Sequence, residues 1–244
     1  MSERLLEHYE TKYAGADHAS TSVATLRATP RDRFEGTVAT MHKHFRGGDI
    51  LEVGGGDGII PRSLIAMDMP FDSYTLTDLS PTRASASAAS ISDPRVKGFA
   101  LDIEKGSSEL GMYDAIIMIA LIEHLIDPMG AMRVIRKMLK PGGFAYIDTP
   151  NIAKYTRRIK LALGQFPSTA SKDEGLTTYD GGAVDMYDEG HLHYWTYGSM
   201  ERMLTRYCGF TSVERRPYPV GNRAPAILAK AWPAMFSDVS VIAR

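Results

Sequence analysis

The stretch Asp49-Ile50-Leu51-Glu52-Val53-Gly54-Gly55-Gly56-Asp57-Gly58 decides the fold. Asp49 to Val53 is a short apolar run of the kind buried strands carry, and the glycines break it at once. Ile59 to Met67 then reads as a helix. Glycines where a strand becomes a helix allow a tight bend and close approach of a ligand to the backbone. Twenty residues beyond Gly58 stands Asp78, at the end of a second strand over Tyr74 to Thr77. A carboxylate there can accept from both hydroxyls of a ribose. The turn is therefore read as a nucleoside-cofactor turn. Its spacing is G-x-G-x-G through Gly54, Gly56 and Gly58. A dinucleotide turn wants a small residue where Ile59 stands, and a P-loop wants a Gly-Lys-Ser/Thr that does not follow. Glu52, just ahead of the turn, suits a ligand with ammonium and sulfonium charge.

Working outward, Thr29-Pro30 reads as a helix start, with the helix running to about Phe45 and stopping at Gly47-Gly48. After the second strand come a helix over Pro81 to Ser90 and a third strand over Val96 to Leu101. Tyr113 to Ile119 is dense in isoleucine, as a central parallel strand is. A helix over Met129 to Leu139, ended by Pro141-Gly142-Gly143, leads to a fifth strand over Phe144 to Asp148. The alternation predicts an α/β, Rossmann-like, mostly parallel doubly wound sheet. From Asn151 the pattern breaks. Tyr155 to Leu163 reads as a basic helix, and Gln165 to Gly190 as a polar, tyrosine-dotted insertion of lid type. Tyr197 to Tyr207 returns as an amphipathic helix, Thr211 to Arg216 as a strand, Ala224 to Met235 as a helix, and Asp238 to Ala243 as the last strand.

The chain has 244 residues, enough for one domain. Within it the expected parts are an N-terminal helical cap (1–48), a cofactor-binding core (49–150), a lid and acceptor insertion (151–195), and a C-terminal helix with strands (196–244). Lys plus Arg number 28 against 29 Asp plus Glu, a net charge of -1, which speaks against a nucleic-acid partner. One cysteine, Cys208, supports neither an internal disulfide nor a thiolate metal site. No apolar run is long enough to span a membrane. A cytoplasmic protein is expected, of a composition that says nothing about its oligomeric state.

At these motifs the sequence resembles the class I S-adenosylmethionine-dependent methyltransferases. LEVGGGDG (51–58) is similar to their first motif, TDLS with Asp78 and Leu79 to their second, and Leu101-Asp102-Ile103 to their third. YDAIIMIALIEHLIDP (113–128), with Ala120, Glu123 and His124, is similar to the fourth strand and following loop of the quinone and sugar O-methyltransferase branch, as are LKPGG and DTPN. The resemblance implies seven strands, the last antiparallel beside strand six. It implies S-adenosyl-L-methionine as cofactor, S-adenosylhomocysteine as product, and a small-molecule or glycosyl acceptor of a biosynthetic pathway. It places Glu52, Gly54, Gly56, Gly58, Asp78, Leu79, Asp102, Ile103 and Ala120 on the cofactor, with Asp102 at the adenine amino group and Ile103 on the ring. Gly55 departs from the motif, where Cys, Thr or Ser is usual.

On the acceptor side a hydroxyl needs a base, and imidazole has the pKa for it near neutrality. His193 is the leading expectation for the base, His124 the next, with Glu123 beside it. In Gly190-His191-Leu192-His193-Tyr194-Trp195, an extended chain puts His191, His193 and Trp195 on one face. No metal is assigned; a site from Glu123, Asp148 and a histidine stays open. N- or C-methylation of a small metabolite, or a non-catalytic cofactor-binding subunit, are the alternative functions.

Overall fold

The computed structural model describes residues 22–106, 111–169, 190–219 and 226–244. Seven strands form one sheet: β1 (Asp49–Val53), β2 (Ser73–Asp78), β3 (Val96–Ala100), β4 (Tyr113–Ile119), β5 (Leu139–Thr149), β6 (Val213–Arg215) and β7 (Val239–Ala243). The helices are α1 (Arg33–His44), α2 (Ile59–Ala66), α3 (Pro81–Ala89), α4 (Pro128–Lys137), α5 (Tyr155–Ala162), α6 (Tyr197–Tyr207), α7 (Ala226–Ala231) and α8 (Pro233–Phe236), with a 3-10 turn at Ile122–His124.

The strand order is β3-β2-β1-β4-β5-β7-β6. β1 pairs in parallel with both β2 and β4, and β7 runs antiparallel to β5 and β6. The chain leaves β1 in one direction along the sheet and returns to its other side at β4. Ligands of open α/β sheets bind outside the strand C-termini at such a reversal.

Both faces of the sheet are covered, so its central strands are apolar on both sides. Ile50, Leu76, Ala115, Ile117 and Tyr146 pack with Val38 and Met41 of α1, Ile60 and Leu64 of α2, and Ala84 and Ala88 of α3. Leu51, Val53, Ile116, Met118 and Ile147 pack on the opposite face with Met132 and Ile135 of α4 and Met200 and Leu204 of α6. Neighbouring residues of β4 thus enter different cores, as a two-residue period requires.

Local signals start most helices. Ser80 accepts from the Arg83 amide ahead of Pro81, Asp127 accepts from the Gly130 amide ahead of Pro128, and Thr196 forms a capping box with Ser199. Such caps contribute about 1 kcal/mol each. The expected start at Thr29-Pro30 is corrected: Asp32 caps α1, its side chain accepting from the Glu35 amide. Glu35 then receives Arg27 and the Arg31 amide, which hold residues 27–31 outside the helix. Pro141 to Gly143 do not end α4, which stops at Lys137; they lie inside β5. The single C-terminal helix expected over Ala224 to Met235 is two short ones, parted at Trp232 before Pro233. The expected lid lies mostly at residues 170–189, outside the described residues.

Candidate active site

Four strand ends build one edge. The glycine turn follows β1, Asp78 ends β2, Asp102 comes after β3, and Ala120 follows β4. Gly54, Gly56 and Gly58 all have positive φ, of 73°, 53° and 71°. This backbone shape costs a side-chain-bearing residue energy that glycine avoids. Gly58 caps α2 in this left-handed conformation. The turn is fastened from below and from the side: the Gly55 amide donates to Thr77 O (2.8 Å), and Ser87 Oγ of α3 donates to Gly56 O (2.6 Å). Leu121 covers Gly54, where a Cβ would meet both its methyls at 3.3 Å.

The departure at Gly55 has a steric cause. A Cβ there would lie 2.9 Å from Leu76 Cγ and 3.0 Å from Glu52 Oε2. Glu52 therefore occupies the space behind the turn. It is buried, with Tyr74 Oη donating to Oε2 at 2.6 Å. Burial pushes its carboxyl up to about 8, against the pull of the Tyr74 hydrogen bond and with the help of negative Asp78.

Asp78 is also buried, and desolvation raises its carboxyl while Arg83 and the amides of Ser80, Gly56 and Leu79 pull it down. Arg83 Nη2 binds Asp57 Oδ1 at 3.0 Å, and Nη1 stands 3.7 Å from Asp78 Oδ2. Leu79 is half-buried beside it. Asp102 accepts the Glu104 amide on Oδ1. Its Oδ2 is buried and accepts no hydrogen bond among the described residues, although Lys105 Nζ lies 3.5 Å away. A buried oxygen in that condition fits an amino donor such as that of adenine. Ile103 is packed into the core under α4.

At the end of β4 the backbone is strained. Ala120 has φ 48°, held by its amide on Asp148 O at 2.8 Å. A side-chain-bearing residue in this region costs about 1–3 kcal/mol and is characteristic of functional sites. The strain aims the following segment across the sheet edge: Leu121 onto Gly54, then Glu123 and His124 onto residues 190–193. Glu123 O accepts the amides of both Leu192 and His193. Its carboxyl is buried, takes the Thr149 hydroxyl on Oε2 at 2.9 Å, and is pushed up to about 7 by burial. His124 Nδ1 donates to Gly190 O at 2.8 Å, and its ring meets that of His191 edge to face at 4.6 Å.

The alternation expected over residues 191–195 is present, with His191 and Trp195 buried and Leu192 and Tyr194 exposed. Its consequence differs from the expectation. His191, not His193, joins Glu123 and His124; the His193 ring is half-buried, 6.1 Å from that of Trp195. Asp148 does not join them either: Tyr218 Oη (2.9 Å) and the Ser240 hydroxyl bind its Oδ2. Arg157, in the basic cluster of α5, donates to Asn151 O and Ser168 O and lies 3.9 Å from Asp238, so it ties the segment after β5 together. Tyr74, Arg83 and Thr169 went unremarked in the sequence, because nothing local distinguishes a hydroxyl or guanidinium that will meet a distant partner.

The fold and this edge define a doubly wound α/β domain with a glycine turn at the end of its first strand. The chain belongs to a methyltransferase-domain family, whose sequence model matches residues 27–214. Its methyl donor is S-adenosylmethionine. The chain is 29% identical over 181 residues to the hybrid PKS-NRPS synthetase lepA of Aspergillus flavus, covering 68% of this chain and 4% of the synthetase. It is 25% identical over 118 residues to the ubiquinone biosynthesis O-methyltransferase of Paraburkholderia xenovorans, covering 45% of this chain and 47% of that enzyme. It thus spans under half the length of these relatives. The solved complex of DhpI with SAM and HEP shares the fold at TM-score 0.56 and 15% identity, over 100% of this chain and 99% of that one. Among the described residues no helix is long and apolar enough to cross a membrane.

Proposed function

We propose that the chain methylates an oxygen of a small biosynthetic acceptor. The adenosyl group lies along the edge with Asp78 on its ribose and Asp102 at its adenine, and the glycine turn faces its methionine part. The observation that carries the reading is the acid-imidazole group of Glu123, His124 and His191, just beyond the Leu121 that covers Gly54. A hydroxyl placed there stands beside the cofactor with proton acceptors around it. Methyl transfer is an in-line displacement at sulfonium, so alignment and exclusion of water do most of the work. His193, half-buried and fixed by its amide on Glu123 O, is the group proposed to take the acceptor proton as the methyl arrives. Similarity to the ubiquinone O-methyltransferase supports oxygen as the nucleophile.

A second reading is methylation of an activated carbon, supported by the likeness of the fold to the CurJ carbon methyltransferase (TM-score 0.54, 19% identity, over 83% of this chain and 50% of that one). That reaction also needs a base, so the same site serves it. Incubating the protein with a metabolite pool and methyl-labelled S-adenosylmethionine, followed by mass spectrometry, distinguishes the two. Label on an ether or ester oxygen supports the first reading, and label on carbon the second. No labelled product from any pool would sink both.

A further inference from the structure

A cavity of about 270 Å³ lies between α1 and the segment that follows β6, with Arg27 and Lys230 of α7 also on its wall. We propose that this cavity binds a small phosphorylated molecule, away from the edge where methyl transfer is placed.

The sequence of α1 makes the hollow. Gly36, Ala39, Thr40 and Lys43 recur at helical spacing and share one face, and the first three are too small to fill the space before Pro217 and Tyr218. A Cβ at Gly36 would meet Tyr218 Cδ1 at 2.8 Å, so the tyrosine ring lies directly on the helix backbone. Ala28, Pro30 and Pro217 add apolar wall. The charge around this wall has one sign. Arg27, Lys43, Arg216 and Lys230 line the cavity, and among the described residues no acid does. Two of these cations are offset from outside it, Arg27 by Glu35 at 2.8 Å and Arg216 by Glu214 at 3.0 Å. Lys43 and Lys230 are exposed and form no ion pair among the described residues. Arg216 Nε is buried and has no acceptor among the described residues. A buried donor in that state is costly, and an anion within its reach removes the cost. Two uncommitted ammonium groups match a phosphate monoester, close to a dianion, better than the single charge of a carboxylate. The tyrosine ring and apolar wall suit a short carbon body on that phosphate, and the volume keeps the ligand small.

The cavity is set apart from the acid-imidazole group by the sheet itself. Tyr146 of β5 belongs to the core under α1, and Ile147 to the core under α4 and α6. The two-residue period then puts Asp148 on the α1 side, where Tyr218 Oη reaches it at 2.9 Å, and Thr149 on the other side with Glu123. Tyr218 thus stands between the cavity and the end of β5, with its ring on one and its hydroxyl on the other.

The test uses the whole chain, titrated by calorimetry with phenyl phosphate, and with benzoate and phenol as probes of lower charge. Phenyl phosphate should bind at one saturable site per chain, benzoate more weakly, and phenol not measurably. Lys43→Gln and Lys230→Gln should each weaken phenyl phosphate binding by about fivefold, the upper range for an exposed charge pair, and the double variant further. Ala39→Leu, which fills the hollow, should abolish it. Lys137→Gln, at an exposed lysine of α4, should bind as the parent does. Phenyl phosphate should raise the melting temperature of the parent and not that of the double lysine variant, whose own melting curve checks its fold. Saturating S-adenosylhomocysteine should leave the phenyl phosphate affinity unchanged. No saturable site in the parent, full binding by the double lysine variant, or equal binding of phenyl phosphate and benzoate overturns the proposal. Competition with S-adenosylhomocysteine would overturn it too, by placing the phosphate on the edge beside the glycine turn.

Discussion

The hydroxyl of Tyr74 donates to Oε2 of Glu52 across 2.6 Å, inside the protein and behind the glycine turn. Burial holds the Glu52 carboxyl at about 8 against an ordinary value of 4.5. The folded state therefore keeps a proton that the unfolded chain loses above pH 4.5. The contribution of this group to stability is greatest at low pH and declines as pH rises from about 4.5 through 8. Glu52→Gln should flatten that decline and melt higher than the parent at pH 8. Tyr74→Phe should cost about 1 kcal/mol at pH 6, where the carboxyl is neutral, and about 1.5–3 at pH 9, where it is charged. Melting curves across pH 5 to 9 for the three proteins check both signs; a parent with equal stability at pH 5 and 8 would contradict them.

Cofactor binding should draw on the same proton. A ligand with ammonium and sulfonium charge favours the ionised carboxylate, so binding near pH 7 should release protons and strengthen as pH approaches 8. Calorimetry in buffers of different ionisation enthalpy measures the release. S-adenosylhomocysteine, which lacks the sulfonium charge, should release fewer protons than S-adenosylmethionine, and Glu52→Gln should release fewest. Equal release from Glu52→Gln and the parent would place the charged end of the cofactor elsewhere.

Asp78→Ala should weaken cofactor binding by about 1–3 kcal/mol, because two ribose hydroxyls lose a charged partner. The fold should survive, since Arg83 keeps its contact with Asp57. An unchanged dissociation constant removes Asp78 from the ribose.

Gly55→Ala tests the steric account of the turn. Its Cβ meets Leu76 Cγ at 2.9 Å, a buried branched carbon in a packed core. The variant should lose about 1–3 kcal/mol of stability, as overpacked sites do, and bind the cofactor more weakly. Ser or Cys, usual here in the family the sequence resembles, should do no better. A stable Gly55→Ser that binds normally would mean that Leu76 and Glu52 yield easily.

His193→Ala should lower the turnover of an identified acceptor by about 10² to 10⁴, the range for a lost general base, with cofactor affinity nearly unchanged. His124→Ala is the matched variant. Loss of turnover in it alone puts the base on the segment after β4, and near-normal rates in both mean that no histidine of this pair takes the proton.

The local pattern carried the core of the fold and the residues that line the edge proposed for the cofactor. Apolar runs at Asp49 to Val53 and Tyr113 to Ile119 become strands because they are long enough to cross a sheet covered on both faces. Gly54, Gly56 and Gly58 announce the turn because left-handed backbone is a property of the residue itself. Asp78 and Asp102 are legible for a similar reason: each stands where a parallel strand ends, and the chain order fixes which edge that is.

What surrounds those residues was decided only by packing. Whether Thr29 or Asp32 caps α1 depended on Glu35 collecting Arg27 and the Arg31 amide. That Glu52 lies behind Gly55 follows from Tyr74 on the neighbouring strand, twenty-two residues away. His191 and His193 look alike in sequence, two residues apart on one face of an extended segment. Glu123 O binds the amides of Leu192 and His193, and the edge-to-face contact with His124 brings in His191. Asp148, one residue before Thr149, is claimed by Tyr218 and Ser240 while Thr149 reaches Glu123. Periodicity reports which face of its own element a side chain occupies, but the partner on that face comes from another part of the chain. The sequence alone thus determined the strand-turn-helix proposed to hold the nucleoside, and tertiary packing decided which acids and imidazoles meet near it.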